Sequence, residues 1–186
     1  QGGGAMKILD LGNHGQITTL LEDKDGIARD PELNFDGDKI ISYIEGITSD
    51  QLKDKVVIIG GGAIGVEFAY IWANYGVDVT ILEMMPHLLP NEDPEVSTVL
   101  EKEYKKVGVK FMTNARVESL EKNAKGVKIL LADGSTLEAD QVMVAINFIP
   151  NVENIGLESA GVKQTERGNI EIDEYMRTNV PTIYAI

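Results

Sequence analysis

The chain has 186 residues, 43% of them apolar, which suits a single core-forming domain with appendages. Thirty acids against 17 bases give a formal charge of −13, which argues against nucleic acid and anionic membrane surfaces as partners, because nothing offsets phosphate repulsion. Cys is absent and the His are two, His14 and His87. Disulfides, thiol nucleophiles and thiolate metal sites are therefore excluded, no metal centre is expected, and both His are expected at the surface. No stretch approaches the ~20 apolar residues of a membrane span. No signal peptide is recognisable, and QGGGA at residues 1–5 reads as an expression scar before Met6, so a cytoplasmic protein is expected.

In chain order, KILDLGNHGQITTLLED reads as two short strands around Gly12–Gly15, and Lys24–Lys39 as polar linker. From Lys55 the pattern becomes strand, glycine loop, helix. Ile64, Phe68, Ile71, Trp72 and Tyr75 fall at helical spacing and predict a buried stripe, with Gly76 ending the helix. VDVTILE is a second strand, one helix later, which makes a βαβ unit with parallel strands and a right-handed crossover. Residues 91–107 form a second helix, capped by Asp93 with Pro94 in its first turn, and Val96, Val99, Leu100 and Val107 make its expected inner stripe. GVKFM is a third strand. ARVESLEKN, GVKILLA and STLEA read as three antiparallel strands, with Asp133-Gly134 as a two-residue turn. DQVMVAI is a near-continuous apolar run, as in a strand buried on both faces. The expected fold is therefore α/β: a Rossmann-like parallel sheet from strands near 55–60, 78–82, 109–112 and 140–146, with a three-stranded antiparallel excursion over about 115–139.

Gly60, Gly62 and Gly65 satisfy G-x-G-x-x-G after a strand and at the opening of a helix. The first Gly permits the tight turn, the second lets backbone approach a pyrophosphate, and the third brings the helix close to the sheet. The helix N-terminus favours an anion there. Glu83 ends the second strand, 23 residues after Gly60, where a carboxylate accepts the adenosine-ribose hydroxyls and repels a 2′-phosphate. No Arg or Lys occurs between Met84 and Asn91, so NAD is expected rather than NADP. Glu67 reads as a first-turn acid, either complementing the helix dipole or lying beside the nicotinamide.

VVIIGGGAIGVEFA, VDVTILE, LLPNEDPEVS, AINFIPNVENIGLESAGV and TNVPTIYAI together resemble the flavin-dependent pyridine nucleotide–disulfide oxidoreductases, nearest to their dihydrolipoamide dehydrogenase branch. The resemblance covers about residues 35–186, and FDGDKIISYIEGI resembles the linker into the family's NAD domain. It implies that Gly60, Gly61, Gly62, Ala63, Ile64, Gly65, Val66 and Glu67 hold the pyrophosphate and approach the nicotinamide. It also implies that Glu83 holds the adenosine ribose and that Val117 lines the adenine pocket; plain core packing is the other reading of Val117. Where the family has Gly in the third position of AIN, this chain has Asn147, with Ile149 where Arg is common. Asn147 then lies beside the dinucleotide, adds bulk there and weakens its binding.

The same resemblance implies a division into residues 1–5 as scar, 6–54 as flavin-domain remnant and linker, 55–150 as the NAD-binding domain, and 151–186 as a return segment towards a flavin domain. FAD, a redox-active Cys pair and a dimerisation domain with its acid–base His would belong to a longer homodimeric parent. The isolated chain, with one glycine loop and no Cys, is expected to be colourless, to have no catalytic residue of its own and not to turn over. Two other readings stand beside this one: the same domain from an NADH-dependent flavoprotein with another acceptor (peroxide, a metal ion or a ferredoxin), and a stand-alone nucleotide-binding module. The apolar TNVPTIYAI is expected either to pair with residues 7–21 in a small sheet or to pair with a second copy as an edge strand.

Overall fold

A computed structural model describes residues 7–10, 17–19, 35–146, 150–166 and 168–186. In chain order the elements are β1 (Lys7–Asp10), β2 (Ile17–Thr19), β3 (Ile40–Ile41), α1 (Tyr43–Thr48), β4 (Lys55–Ile59), α2 (Ala63–Asn74), β5 (Asp78–Leu82), α3 (Pro94–Val107), β6 (Lys110–Met112), β7 (Val117–Asn123), β8 (Gly126–Leu131), β9 (Thr136–Ala139), β10 (Gln141–Val144), α4 (Leu157–Ala160) and β11 (Ile183–Tyr184). They fall into two compact units, Arg29–Asn147, and Gln1–Ala28 with Phe148–Ile186.

The Arg29–Asn147 unit is built on a parallel sheet of order β3-β10-β4-β5-β6. Successive side chains of a strand face opposite ways, and both faces here are covered. Val56 and Ile58 of β4, Val79 and Ile81 of β5 and Met143 of β10 pack with Val66, Phe68, Ala69 and Trp72 of α2 and Tyr104 of α3. Val57, Ile59, Leu82, Val142 and Val144 pack on the other side against Val127, Ile129 and Leu131 of β8. That second layer is the antiparallel sheet β7-β8-β9. The unbroken apolar runs of β4 and β10 are what burial on two faces requires.

Several local expectations hold. Asp93 caps α3 through the Glu95 amide at 2.8 Å, with Pro94 at the first helical position. Gly76 follows α2 at φ +87°. The β8–β9 connection is a three-residue turn rather than the expected two: the Gly134 amide donates to Leu131 O and the Leu131 amide to Ser135 O, each at 2.9 Å. Gly134 takes the left-handed position, φ +83°, as three-residue hairpins need.

The helix faces differ from expectation. On α2 the buried residues are Gly65, Val66, Phe68, Ala69 and Trp72, while Ile71 is exposed and Tyr75 is 75% exposed. Gly65 is turned inward onto the glycine loop, where a Cβ would lie 1.9 Å from Gly60 O. On α3 Val96, Val99 and Val107 are exposed, Val99 to 62%. The inward side carries Ser97, Leu100 and Tyr104. Tyr104 buries a larger side chain than any valine and donates its hydroxyl to Val66 O at 2.7 Å. Burial, with the Glu67 charge and Tyr70 nearby, pushes that phenol up to about 12, so it stays a donor at neutral pH.

Part of the expected linker is ordered structure. β3 adds a fifth strand beside β10, and Ser42 with Glu45 forms a capping box on α1. Asp36 Oδ1 accepts from the amides of Asp38, Lys39 and Ile40 at 3.1, 2.8 and 2.9 Å. Its Oδ2 lies 3.0 Å from Lys122 Nζ on β7. Partial burial pushes this carboxyl up, but the hydrogen bonds from Ile40, Lys122, Asp38 and Lys39 together outweigh it and hold it far below the ordinary 3.8.

In the other unit, β1 pairs antiparallel with β2 and with β11, in register Leu9↔Tyr184 and Asp10↔Ile183. The C-terminal segment therefore pairs with residues 7–10, the first of the two expected arrangements. His14 and Asn147 lie outside the described residues.

Two measurements check this fold. Asp36→Ala is expected to cost about 1 kcal/mol at pH 7, the scale of a lost cap, or ~2–4 °C in Tm. A depressed carboxyl stabilises above its unfolded pKa and loses that contribution as pH falls through its folded one, so the gap between wild type and variant in thermal melts is expected to close on acidification below about pH 4. Val99→Lys is expected to stay within ~0.5 kcal/mol of wild type in urea titrations, while Tyr104→Phe costs about 1 kcal/mol; the reverse order would restore the valine stripe to the core.

Candidate functional site

Pairing of Ile59 with Leu82 brings the ends of β4 and β5 side by side. The residues that follow are Gly60 and Glu83, and the Gly60 amide donates to Leu82 O at 2.8 Å. The backbone of Glu83 is fixed in turn: its amide donates to Met112 O and its carbonyl accepts from Ala115, each at 2.9 Å. Its carboxylate is buried (5% exposed). Oε2 accepts from the Gly61 amide at 2.6 Å and Oε1 from the Met85 amide at 2.8 Å. Each oxygen keeps a lone pair for a further donor.

The glycines of the loop do different jobs. Gly60 has φ +107°, and a Cβ there would lie 2.5 Å from Ala145 O. A Cβ on Gly65 would lie 1.9 Å from Gly60 O, and one on Gly61 would meet Leu88 Cδ2 at 2.6 Å. Gly62 is unlike them: nothing lies within 4 Å of a Cβ there, and its extended backbone (φ −75°, ψ −173°) suits any residue. Gly62 is the N-cap of α2 and supplies no side-chain acceptor, whereas Ser42 and Asp93 cap α1 and α3. The first amides of α2 thus face outward from a loop without side chains.

The other expected site residues divide. Ala63, exposed, and Ile64, half-buried, open α2 beside the loop. Val66 is buried, and its carbonyl takes the Tyr104 hydroxyl, so it faces the core. Glu67 is exposed and is the fifth residue of α2, so it lies in the second turn rather than the first. The first turn holds no acid because the helix begins directly at the loop. Val117 is half-buried, and the core packing expected of it as one of two readings is present. It packs with the β8 side of the core, and it lines a cleft of about 190 Å³ with Gly60, Glu83, Met84, Arg116 and Ile146.

Three features were not legible as site elements. Arg116 brings a cation to the cleft from 33 residues beyond Glu83, outside the span searched for one. Leu88, fully buried in the segment after β5, packs on Gly61; the Leu88–Leu89 pair between Pro86 and Pro90 was the available signal. His87, expected at the surface, is half-buried, with Nδ1 at 3.0 Å from Leu88 O and 3.1 Å from Ser97 Oγ. Among the described residues no group of three or more His, Cys, Asp or Glu could hold a metal ion. No helix there is long and apolar enough to cross a membrane.

Comparison with known proteins agrees with this geometry. The profile of the pyridine nucleotide-disulphide oxidoreductase family matches residues 17–186. The dihydrolipoyl dehydrogenase of Corynebacterium glutamicum is 51% identical over 154 residues, 80% of this chain and 33% of that protein. Among solved structures, LpdA from Mycobacterium tuberculosis superposes with a TM-score of 0.74 at 31% identity, over 83% of this chain and 34% of that one. A NAD-dependent persulfide reductase from A. fulgidus superposes with a TM-score of 0.65 at 32% identity, over 82% and 30%. The chain spans about a third of the length of the relatives it matches. With the glycine loop, the strand-end carboxylate and the antiparallel layer all in place, the chain belongs to the pyridine nucleotide-disulphide oxidoreductase family.

Proposed function

We propose that the Arg29–Asn147 unit is the NAD-binding part of a dihydrolipoamide-dehydrogenase-like flavoenzyme. The observation that carries the reading is Gly62. The fold sets backbone against a Cβ at Gly60 and Gly65 and the Leu88 and Glu83 side chains against one at Gly61, yet leaves open space around Gly62, at the mouth of a helix with no side-chain cap. A ligand that needs bare backbone there explains the glycine, and a pyrophosphate resting on the α2 amides fits it. The spare lone pairs of Glu83 fit the two hydroxyls of an adenosine ribose, and Val117 borders the cleft beyond. The residues present thus fit the dinucleotide, with Gly60–Gly65 orienting its phosphates and Glu83 fixing its ribose. Bound NAD would supply a hydride-accepting ring. One of the superposed structures, the A. fulgidus enzyme, is NAD-dependent by its name.

The larger assignment belongs to the same proposal. Residues 55–150 are the NAD domain proper, to whose sheet β3 of the entering linker adds a strand, and residues 6–54 and 151–186 are linker and flavin-domain segments. In the parent a separate domain holds FAD, a dimerisation domain completes the homodimer, and electrons pass from dihydrolipoamide through a disulfide and the flavin to NAD.

Two experiments test the nucleotide site. In calorimetric titration of the chain, NAD is expected to bind more tightly than NADP, and Glu83→Gln to weaken NAD by ten-fold or more, since hydrogen bonds to a charged group are worth ~1.5–3 kcal/mol. Equal or tighter NADP binding, or an unchanged NAD affinity in the variant, would overturn the reading. Gly62→Ala is expected to keep the wild-type melting transition to within about 1 kcal/mol while losing NAD affinity. Gly65→Ala must push aside the Gly60 carbonyl and is expected to cost at least ~1–3 kcal/mol of stability. Undiminished NAD binding by Gly62→Ala would remove the main support for the site.

A further inference from the structure

We infer that Glu101, on α3 and outside the glycine motif, is a positioning residue for the nucleotide site, acting through Leu88; this rests on the NAD reading above. The segment between β5 and α3 runs back along the glycine loop and grips it at Gly61. The Leu89 amide donates to Gly61 O at 2.8 Å, opposite the bond from the Gly61 amide to Glu83. The Leu88 side chain is fully buried, and its Cδ2 occupies the space where a Cβ on Gly61 would stand. Gly61 is thereby held on its amide, its carbonyl and its Cα face, and two of those three holds come from residues 88 and 89.

Leu88 and Leu89 are fixed in turn by α3. Glu101 Oε1 accepts from the Leu88 amide at 3.1 Å. His87 Nδ1 lies 3.0 Å from Leu88 O, to which it donates in the tautomer that carries its proton on Nδ1. Ser97, buried on α3, places its Oγ 3.1 Å from the same nitrogen. Leu89 itself has φ +51°, a backbone state that a leucine seldom takes without support from its surroundings. Both backbone groups of Leu88 are thus tied, the amide directly to α3 and the carbonyl to a ring that α3 backs. Glu101 reaches the glycine loop through the Leu88 amide, so its effect on binding passes through where it sets Gly61 and hence the amides that follow.

The test uses the 186-residue chain, with amide hydrogen exchange at Gly61 and Leu89, the two bonded amides of this grip, as one readout and NAD affinity by calorimetry as the other. Glu101→Ala is expected to speed exchange at both amides and to weaken NAD about ten-fold, with β4 and β5 exchange unchanged. Glu101→Gln keeps an acceptor for the Leu88 amide and is expected to restore both readouts; Glu101→Asp, one methylene short, is expected to behave like Ala and serves should Ala fold poorly. Exchange at Gly61 and Leu89 that is indifferent to Glu101→Ala, faster exchange with NAD affinity within two-fold of wild type, or a Gln variant as impaired as Ala, would each overturn the assignment. Failure of the wild-type chain to bind NAD would instead overturn the nucleotide reading, and the exchange data alone would then decide whether Glu101 holds the loop.

Discussion

The parallel sheet must be buried on both faces, and the rest of the Arg29–Asn147 unit follows from how that is done. A strand such as β4, with Val56 and Ile58 to one side and Val57 and Ile59 to the other, has no face that water can cover. Helices supply one cover and the β7–β9 sheet the other. With both covers in place the strands cannot slip, because a shift of one residue would exchange every inward side chain between two differently shaped layers. The register Ile59↔Leu82 is thereby set, and with it the meeting of Gly60 and Glu83 just past the strand ends. The site is a consequence of strand pairing, at the carboxyl ends where open α/β sheets place ligands.

Much of this was legible because it rests on local rules. A glycine loop between strand and helix, an acid at the end of the next strand, an Asp-Pro helix start and an Asp-Gly turn each act over a few residues. The helix faces were less legible because they depend on what lies across the interface. Val96, Val99 and Val107 keep helical spacing, yet the side that turns inward carries Ser97 and Tyr104, whose hydroxyls meet His87 and the Val66 carbonyl. Periodicity reports that a stripe exists; hydrogen-bond partners from other elements decide which stripe is buried. Arg116 and Glu101 were hidden for the same reason. They reach the site from β7's approach and from α3, at sequence distances that no motif spans.

Glu83 shows why binding and folding are hard to separate here. Its carboxylate is buried, and its two oxygens already hold the amides of Gly61 and Met85. An amide in its place offers a single acceptor oxygen and turns a donor towards one of those amides. The group proposed to hold a ribose is therefore also the one that anchors the loop. Pre-organisation of this kind lowers the ordering cost of binding, and it makes the strand-end acid part of the fold as much as of the site.

The acidity of the chain sharpens the same point. At −13 the molecule repels polyanions at a distance, and the cleft beside Gly60 and Glu83 is lined by one arginine and no lysine. In the proposed reading a pyrophosphate is attracted instead by the amides at the start of α2, whose field falls off within a turn of helix. A long-range basic patch would collect any phosphate-bearing polymer, whereas short-range amides reward only a ligand that fits against bare backbone. Gly62, around which the fold leaves open space, is where the proposed phosphate would meet bare backbone. On that proposal a missing side chain, rather than any positive charge, would admit it.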